Sequence, residues 1–336
     1  LMLFLFYIYY MNSLNKVFDI QSEKEFENIC LEIFNYQFEN NEVYKSFCKL
    51  LGKNPKNVAS SIQIPFLPIS FFKTNQIIST KKKAKKIFTS SGTTNAVKSK
   101  HYVTDLKLYE TSILKTFKLF YGNPKNYAII GLLPNYMENK NSSLIYMVNF
   151  LMKKSNNSFN KFYLNNYSKL KETLLKLEKN KKKIILFGVS YALLDFVKSY
   201  PLKLKYATII ETGGMKGKRK ELIKRELHEK LKNGFGVSSI NSEYGMTELM
   251  SQAYSLNDEK FKFPPWMKIY IRESEDPMTI KTNFKSGGVN VIDLANYNSC
   301  SFIATDDLGK IDKNGDFEIL GRLDNSDQRG CSLLLE

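Results

Sequence analysis

The sequence predicts a mixed α/β protein whose mostly parallel sheet is covered on both faces, with a smaller β-rich subdomain near its C-terminal end. Short apolar runs at 127–133, 184–189 and 206–214 alternate with amphipathic helical stretches, and a strand apolar on both faces belongs in a sheet with helices on either side. From 267 onward strand-like segments are separated by turn signals, Lys285-Ser286-Gly287-Gly288 and Asp312-Lys313-Asn314-Gly315-Asp316. That pattern favours antiparallel or barrel-like pairing.

In chain order, residues 13–52 carry Phe18, Ile20, Phe26, Ile29, Cys30, Ile33 and Phe34, then Val43, Phe47, Leu50 and Leu51, at the spacing of amphipathic helices. Ile64-Pro65-Phe66-Leu67-Pro68-Ile69-Ser70-Phe71-Phe72-Lys73 follows. Its two prolines exclude a helix interior and favour an extended, buried connection. Residues 85–88 read as a short strand leading into a hydroxyl-rich loop. Helices are expected at 106–119, 143–153, 169–180 and 218–232, the last carrying His228, and the three apolar runs are the buried strands. The third strand ends in the glycine turn Gly213-Gly214.

With 336 residues and 43% hydrophobic content, the chain has ample material for a core. Its net charge of +17 comes mainly from lysine runs such as Lys81-Lys82-Lys83. Such a field attracts anionic surfaces, but Lys, Asn, Ile, Tyr and Phe are abundant together, as a biased coding composition would produce. Arginine is scarce and no zinc-finger or RNA-reading motif is present, so no nucleic-acid partner is expected. The first ten residues, LMLFLFYIYY, make about half of the ~20 that a spanning helix needs. They lack a basic leader and a cleavage site, so no transmembrane segment is expected, and Met11 is a candidate true start. Cysteines at 30, 48, 300 and 331 show no CxxC pair, which points to a reducing cytoplasm. His101 and His228 have no partner histidine at helical spacing, so no histidine zinc site is expected.

Three segments carry the chemistry. Thr89-Ser90-Ser91-Gly92-Thr93-Thr94 offers hydroxyls and backbone N–H groups to phosphates, with glycine permitting close approach and Lys98 or Lys100 near for charge. Taken alone it is equally a polar turn, and it is not a Walker loop. Ser242-Glu243-Tyr244-Gly245-Met246-Thr247-Glu248 sets a base-stacking aromatic, Tyr244, before a carboxylate suited to Mg²⁺, Glu248; in isolation it also reads as an ordinary strand end. Asp307, within Thr305-Asp306-Asp307-Leu308-Gly309, is either a turn acid or a ribose ligand.

The combined order of these segments, continued by Asp307-x-Gly309-x-Ile311-Asp312-x-x-Gly315-Asp316-x-x-Ile319-x-Gly321-Arg322-x-Asp324, is similar to the adenylate-forming superfamily of acyl-CoA synthetases and related ligases, over roughly residues 60–330. The resemblance implies the large N-terminal domain of those enzymes, ATP and Mg²⁺, and a site in which residues 89–94 bind phosphate. Gly213 and Gly214 would lie against the adenine, Tyr244 and Gly245 beside its ring, Thr247 on the α-phosphate and Glu248 on magnesium. Asp307 would bind the ribose and Arg322 would sit by the nucleotide at a hinge near Asp324. The loop departs from the superfamily at Thr94-Asn95-Ala96-Val97-Lys98, where glycine and proline are usual. Typical members continue past the position of Glu336 into a mobile lid with a catalytic lysine, so this lid is expected to be absent. The organisation expected is an apolar extension (1–11), an α/β core (12–266), a β-rich subdomain (267–321), and a hinge and tail (322–336).

Ile64-Pro65-x-Leu67-Pro68-Ile69-Ser70-x-Phe72-Lys73, Ser99-Lys100-His101-Tyr102-Val103 and Arg329-Gly330-Cys331-Ser332-Leu333-Leu334 narrow the resemblance to the acyl-protein synthetases of the bacterial luminescence fatty-acid reductase system. This implies activation of a fatty acid to acyl-AMP, transfer to Cys331 as a thioester, and passage to a reductase or other acyl-accepting partner. A thiolate attacks an acyl-adenylate well. His101, just after the loop, is a catalytic candidate or a packing histidine. Cys30, Cys48 and Cys300 read as structural, and the apolar segment 189–194 as acyl-pocket lining. Two other functions are weighed: an acyl-CoA or aryl-CoA ligase using free coenzyme A, and a non-catalytic nucleotide-binding partner subunit.

Overall fold

The computed structural model describes residues 16–90, 97–133, 140–213, 223–256, 259–274, 276–281 and 286–323. In chain order the helices are α1 (Glu23–Asn40), α2 (Glu42–Leu50), α3 (Phe71–Thr74), α4 (Leu106–Tyr121), α5 (Ser143–Ser155), α6 (Tyr167–Lys179), α7 (Ser190–Ser199) and α8 (Lys224–Phe235). The strands are β1 (Leu67–Pro68), β2 (Lys86–Thr89), β3 (Lys100–Val103), β4 (Ala128–Leu132), β5 (Lys161–Tyr163), β6 (Ile184–Gly188), β7 (Ala207–Glu211), β8 (Asn241–Tyr244), β9 (Ala253–Ser255), β10 (Phe261–Lys262), β11 (Met267–Arg272), β12 (Ser286–Asp293), β13 (Phe302–Ile311) and β14 (Phe317–Arg322). The chain divides into two compact units, one of residues 85–100 and 105–264, the other of 1–84, 101–104 and 265–336.

The first unit is the α/β body. Its sheet runs β10-β9-β8-β7-β6-β4-β5, parallel from β5 through β8 and antiparallel at β9 and β10. All five residues of β4 and of β6 are buried, as the apolar runs require of strands covered on both faces. Each buried Ile or Leu contributes roughly 1.5–3 kcal/mol, enough to outweigh the modest helix propensity of these runs. Helices α4, α5 and α6 begin on side-chain caps: Asp105 accepts from the amides of Lys107 and Leu108, Ser142 from Ile145, and Asn166 from Lys169. Chain order crosses between β4 and β6, and the carboxyl ends of such strands are where α/β sheets bind ligands.

The second unit is largely antiparallel. Its strands run β11-β12-β13-β14, with β1 parallel to β13. Tyr44 and Phe302 stack at 6.0 Å and Phe34 meets both rings edge-on, which locks α1 and α2 onto the sheet. Ser22 and Glu25 form a capping box at the start of α1. The proline-bearing connection is extended through β1, as expected, but after Pro68 the chain turns once as α3, where proline no longer blocks a helix. Residues 190–194 open α7, with Tyr191, Ala192, Leu193 and Leu194 all buried.

Candidate functional site

In the α/β unit the candidate residues gather at strand ends. Thr89 closes β2 and donates its amide to Asn141 O at 3.0 Å. Ser90 N donates to Ser99 O at 3.1 Å, and Ser99 N donates back to Ser90 Oγ at 3.0 Å. These two bonds tie the ends of the loop together, while Lys98 is exposed. Ser91, Gly92, Thr93 and Thr94 lie outside the described residues, as do Gly214 and Cys331.

Strand β8 ends at Tyr244, and Leu249 N donates to Met246 O at 3.2 Å. That closes a turn whose central residues are Thr247 and Glu248. Thr247 is half-buried and Glu248 is 4% exposed. Tyr244 is buried with its ring 5.9 Å from Phe261 in an edge contact, and Lys224 Nζ sits 4.1 Å from the Phe261 ring centroid. Gly245 is exposed, and a Cβ there would fall 2.5 Å from Glu243 Oε1, so the bare glycine lets the Glu243 carboxyl fold over it. Burial and the neighbouring Glu211 push the Glu243 carboxyl up to about 8.

Beside this segment lies a buried polar network not singled out in the sequence. Glu211, the last residue of β7, accepts from Ser190 Oγ, from Gly213 N at 2.6 Å and from Ser242 Oγ at 3.3 Å. His228 Nε2 is 3.2 Å from Ser242 Oγ. Burial, then Lys224 and Lys232, hold the His228 imidazole down at about 4, so it is neutral. Gly213 has φ +76°, a conformation that favours glycine. The available signal was an acid ending an apolar strand directly before a glycine turn.

In the antiparallel unit, Asp307 on β13 pairs with Arg322 on β14. Its side chain is 15% exposed, and Arg322 Nε stands 3.6 Å from its carboxylate on a side chain 74% exposed. The backbone here is braced from beneath. Arg272 donates to Val289 O at 2.7 Å, Asn290 Oδ1 at 3.0 Å and Thr305 O at 2.6 Å, and Thr305 Oγ1 accepts from Asp307 N at 3.1 Å. A Cβ on Gly288 would lie 2.5 Å from the Arg272 guanidinium carbon, so glycine is what admits the arginine.

His101 is 1% exposed, edge-on to Phe72, with Nε2 3.0 Å from Asn296 Oδ1. Asn296 spends its amide N–H on Cys300 O at 2.7 Å, so the imidazole is the donor in this pair. The structure thus embeds His101 in a buried network with Asn296. Cys30, Cys48 and Cys300 are free thiols with no exposed surface. Burial raises the Cys30 and Cys300 thiols far above their usual value and Cys48 to about 12, which withholds the reactive thiolate.

Among the described residues no group of three His, Cys, Asp or Glu side chains is arranged to hold a metal ion. Glu248 with the adjacent Thr247 hydroxyl is nevertheless the oxygen donor set that suits Mg²⁺ carried in with substrate phosphates, where one or two carboxylates suffice. No helix among the described residues is long and apolar enough to cross a membrane.

The family described as Acyl-protein synthetase, LuxE matches residues 8–336. A Long-chain-fatty-acid--luciferin-component ligase of Vibrio harveyi is 24% identical over 331 residues, 89% of this chain and 84% of that protein. Among solved structures, 2-hydroxyisobutyryl-CoA ligase in complex with 2-HIB-AMP and CoA superposes with TM-score 0.68 at 11% identity, over 91% of this chain and 70% of the other. ATP-bound MatB from Rhodopseudomonas palustris gives TM-score 0.53 at 17% identity, over 70% of this chain and 47% of the other. The chain therefore spans about half the length of the latter, and these two likenesses establish the fold of adenylate-forming enzymes.

Proposed function

The chain belongs to the acyl-protein synthetase family, a family of ligases, and from that premise we propose that it activates a long-chain fatty acid with ATP and Mg²⁺ and then carries the acyl group on Cys331. In the first step a fatty carboxylate oxygen attacks the α-phosphorus. The acyl C–O–P link forms, the bond to the β-phosphate breaks, and pyrophosphate leaves. Glu248 would hold the magnesium that neutralises the phosphates, Thr247 would contact the α-phosphate, and Ser90 with its neighbours would cradle the phosphate oxygens. Tyr244, Gly245 and Gly213 would lie along the adenine, Asp307 would accept from the ribose hydroxyls, and Arg322 would sit by the nucleotide.

In the second step the Cys331 thiolate attacks the acyl carbonyl. A C–S bond forms, the C–O bond to phosphate breaks, and AMP leaves with the electron pair. The observation that carries this reading is the state of the other thiols: all three are buried with raised pKa, which disfavours each of them as nucleophile. The thioester keeps the acyl group reactive for a reductase or other acyl-accepting partner, and the reading sets the reaction in the cytoplasm, where Cys331 stays a free thiol.

Pyrophosphate exchange separates the two steps. Cys331→Ala is expected to keep fatty-acid-dependent exchange while losing all covalent acyl-protein. Loss of exchange in that variant, or acylation that persists in it, would overturn the assignment.

A further inference from the structure

We propose that Glu211 is a positioning residue for nucleotide binding, its buried carboxyl setting the Gly213 turn and the start of the Ser242–Glu248 segment in one arrangement. The inference rests on the reading above that Gly213 and Tyr244 line the adenine.

Glu211 is 5% exposed and ends a strand whose preceding residues are Ala207, Thr208, Ile209 and Ile210. Its carboxyl accepts from three donors, two on connections that follow successive strands and one on the next strand. Ser190 stands just after β6, Gly213 just after β7 and Ser242 on β8. Ser242 has one hydroxyl proton and gives it to Glu211, so the His228 Nε2–H at 3.2 Å must be the donor to Ser242 Oγ. The network thereby reaches α8, and the imidazole, held down at about 4, joins it as a neutral donor.

A brace for the fold alone could stand anywhere along these strands. This one stands at their carboxyl ends, where ligands bind in such sheets, and it bonds directly to the amide of the glycine turn. Without the acceptor, the Gly213 N–H and two hydroxyls lose their partner, and Gly213 at φ +76° is left to follow Thr212, whose amide and hydroxyl reach Gly188 O at 3.0 and 3.4 Å. The strand beyond Ser242 leads without interruption to Tyr244. One carboxyl therefore sets both walls assigned to the adenine.

The test uses the full chain with Glu211→Ala and Glu211→Gln, folded content checked by thermal melting, ATP affinity measured by calorimetry with Mg²⁺, and pyrophosphate exchange run against ATP and a fatty acid in turn. Losing the acceptor for charge-assisted bonds is expected to weaken ATP binding and raise KM for ATP about tenfold in the alanine variant, with KM for the fatty acid and kcat per folded protein unchanged. Glutamine should restore most of the affinity, because its amide oxygen still accepts from Ser190 and Gly213 while its NH₂ donates to Ser242. Should the alanine variant not fold, the Ser190→Ala/Ser242→Ala pair is expected to give the same ATP-selective rise. Unchanged ATP affinity, or a fall in kcat with both KM values intact, would overturn the role of Glu211. Failure of the wild-type protein itself to bind ATP would instead overturn the adenylation reading.

Discussion

Glu211 in the α/β unit and Asp307 in the antiparallel unit are both acids on strands, yet their surroundings differ. Glu211 is 5% exposed and accepts from three donors, on β8 and on the connections after β6 and β7. Asp307 is 15% exposed, and Arg322 approaches it only to 3.6 Å, beyond a normal hydrogen bond. The first carboxyl is given to the scaffold, whereas the second lies on a strand pair beside an exposed arginine. The supports beneath them also differ: a chain of side chains, Ser190, Ser242 and His228, on one side, and on the other the Arg272 guanidinium gripping backbone carbonyls of β12 and β13. The setting of each acid is thus readable from the side chains and backbone around it, and sequence position alone does not report this.

The largest effect tests an acid in the catalytic role. Glu248→Gln is expected to lower fatty-acid-dependent pyrophosphate exchange on the order of 100-fold, the scale of losing one electrostatic partner of the reacting phosphates, and added Mg²⁺ should recover part of the loss. Activity within a few-fold of wild type would remove Glu248 from the metal role. Next, Asp307→Asn should raise KM for ATP roughly tenfold, the value of a hydrogen bond to a charged acceptor, with little change in melting temperature. If the variant instead unfolds early with a normal KM, Asp307 belongs with Glu211 among the scaffold acids and the contrast fails.

Arg272→Met sharpens the other half of the comparison. It removes the guanidinium donors to Val289 O, Asn290 Oδ1 and Thr305 O, leaving Val289 O only the Thr305 hydroxyl as side-chain donor, which should cost roughly 2 kcal/mol in urea unfolding; a loss below about 0.5 kcal/mol would mean that the sheet holds Asp307 without its arginine. The smallest effect concerns Glu243, whose carboxyl is raised from the ordinary 4.5 to about 8. The folded state holds that proton more tightly than the unfolded chain, so its contribution is fully present below about pH 4.5 and is lost as pH rises toward 8. Melting curves across that window should therefore show Glu243→Gln gaining on wild type as pH rises, and a constant difference would contradict the burial of this acid beside Glu211.

Much of the fold was legible in the sequence because β4, β6 and β7 are apolar runs bounded by turns, and because α4, α5 and α6 carry helical periodicity with polar caps. Strands β5, β9 and β10 have at most three residues each, too few to show a period. Helix α7 follows the apolar strand β6 directly, with no side-chain cap at Val189, so nothing local divides strand from helix. Helix α8 was expected over 218–232 and runs to Phe235, where Gly236 at φ +62° ends it; residues 218–222 lie outside those described. Within the site, Tyr244, Thr247 and Glu248 were readable as one string. Glu211 was not, since its partners Ser190 and Ser242 stand 21 and 31 residues away in sequence, and only the sheet brings them together. His101 was visible as a histidine after a loop, but its burial against Phe72 and Asn296 depends on a partner 195 residues distant.

The central claim is that one chain both makes the acyl-adenylate and receives its acyl group. Intact-protein mass after incubation with ATP, Mg²⁺ and a mixture of long-chain fatty acids tests it most directly, repeated on Cys331→Ala and after hydroxylamine. The account predicts a single acyl adduct that hydroxylamine removes and that Cys331→Ala never forms. AMP release only when coenzyme A is supplied, with no adduct on either protein, would contradict it.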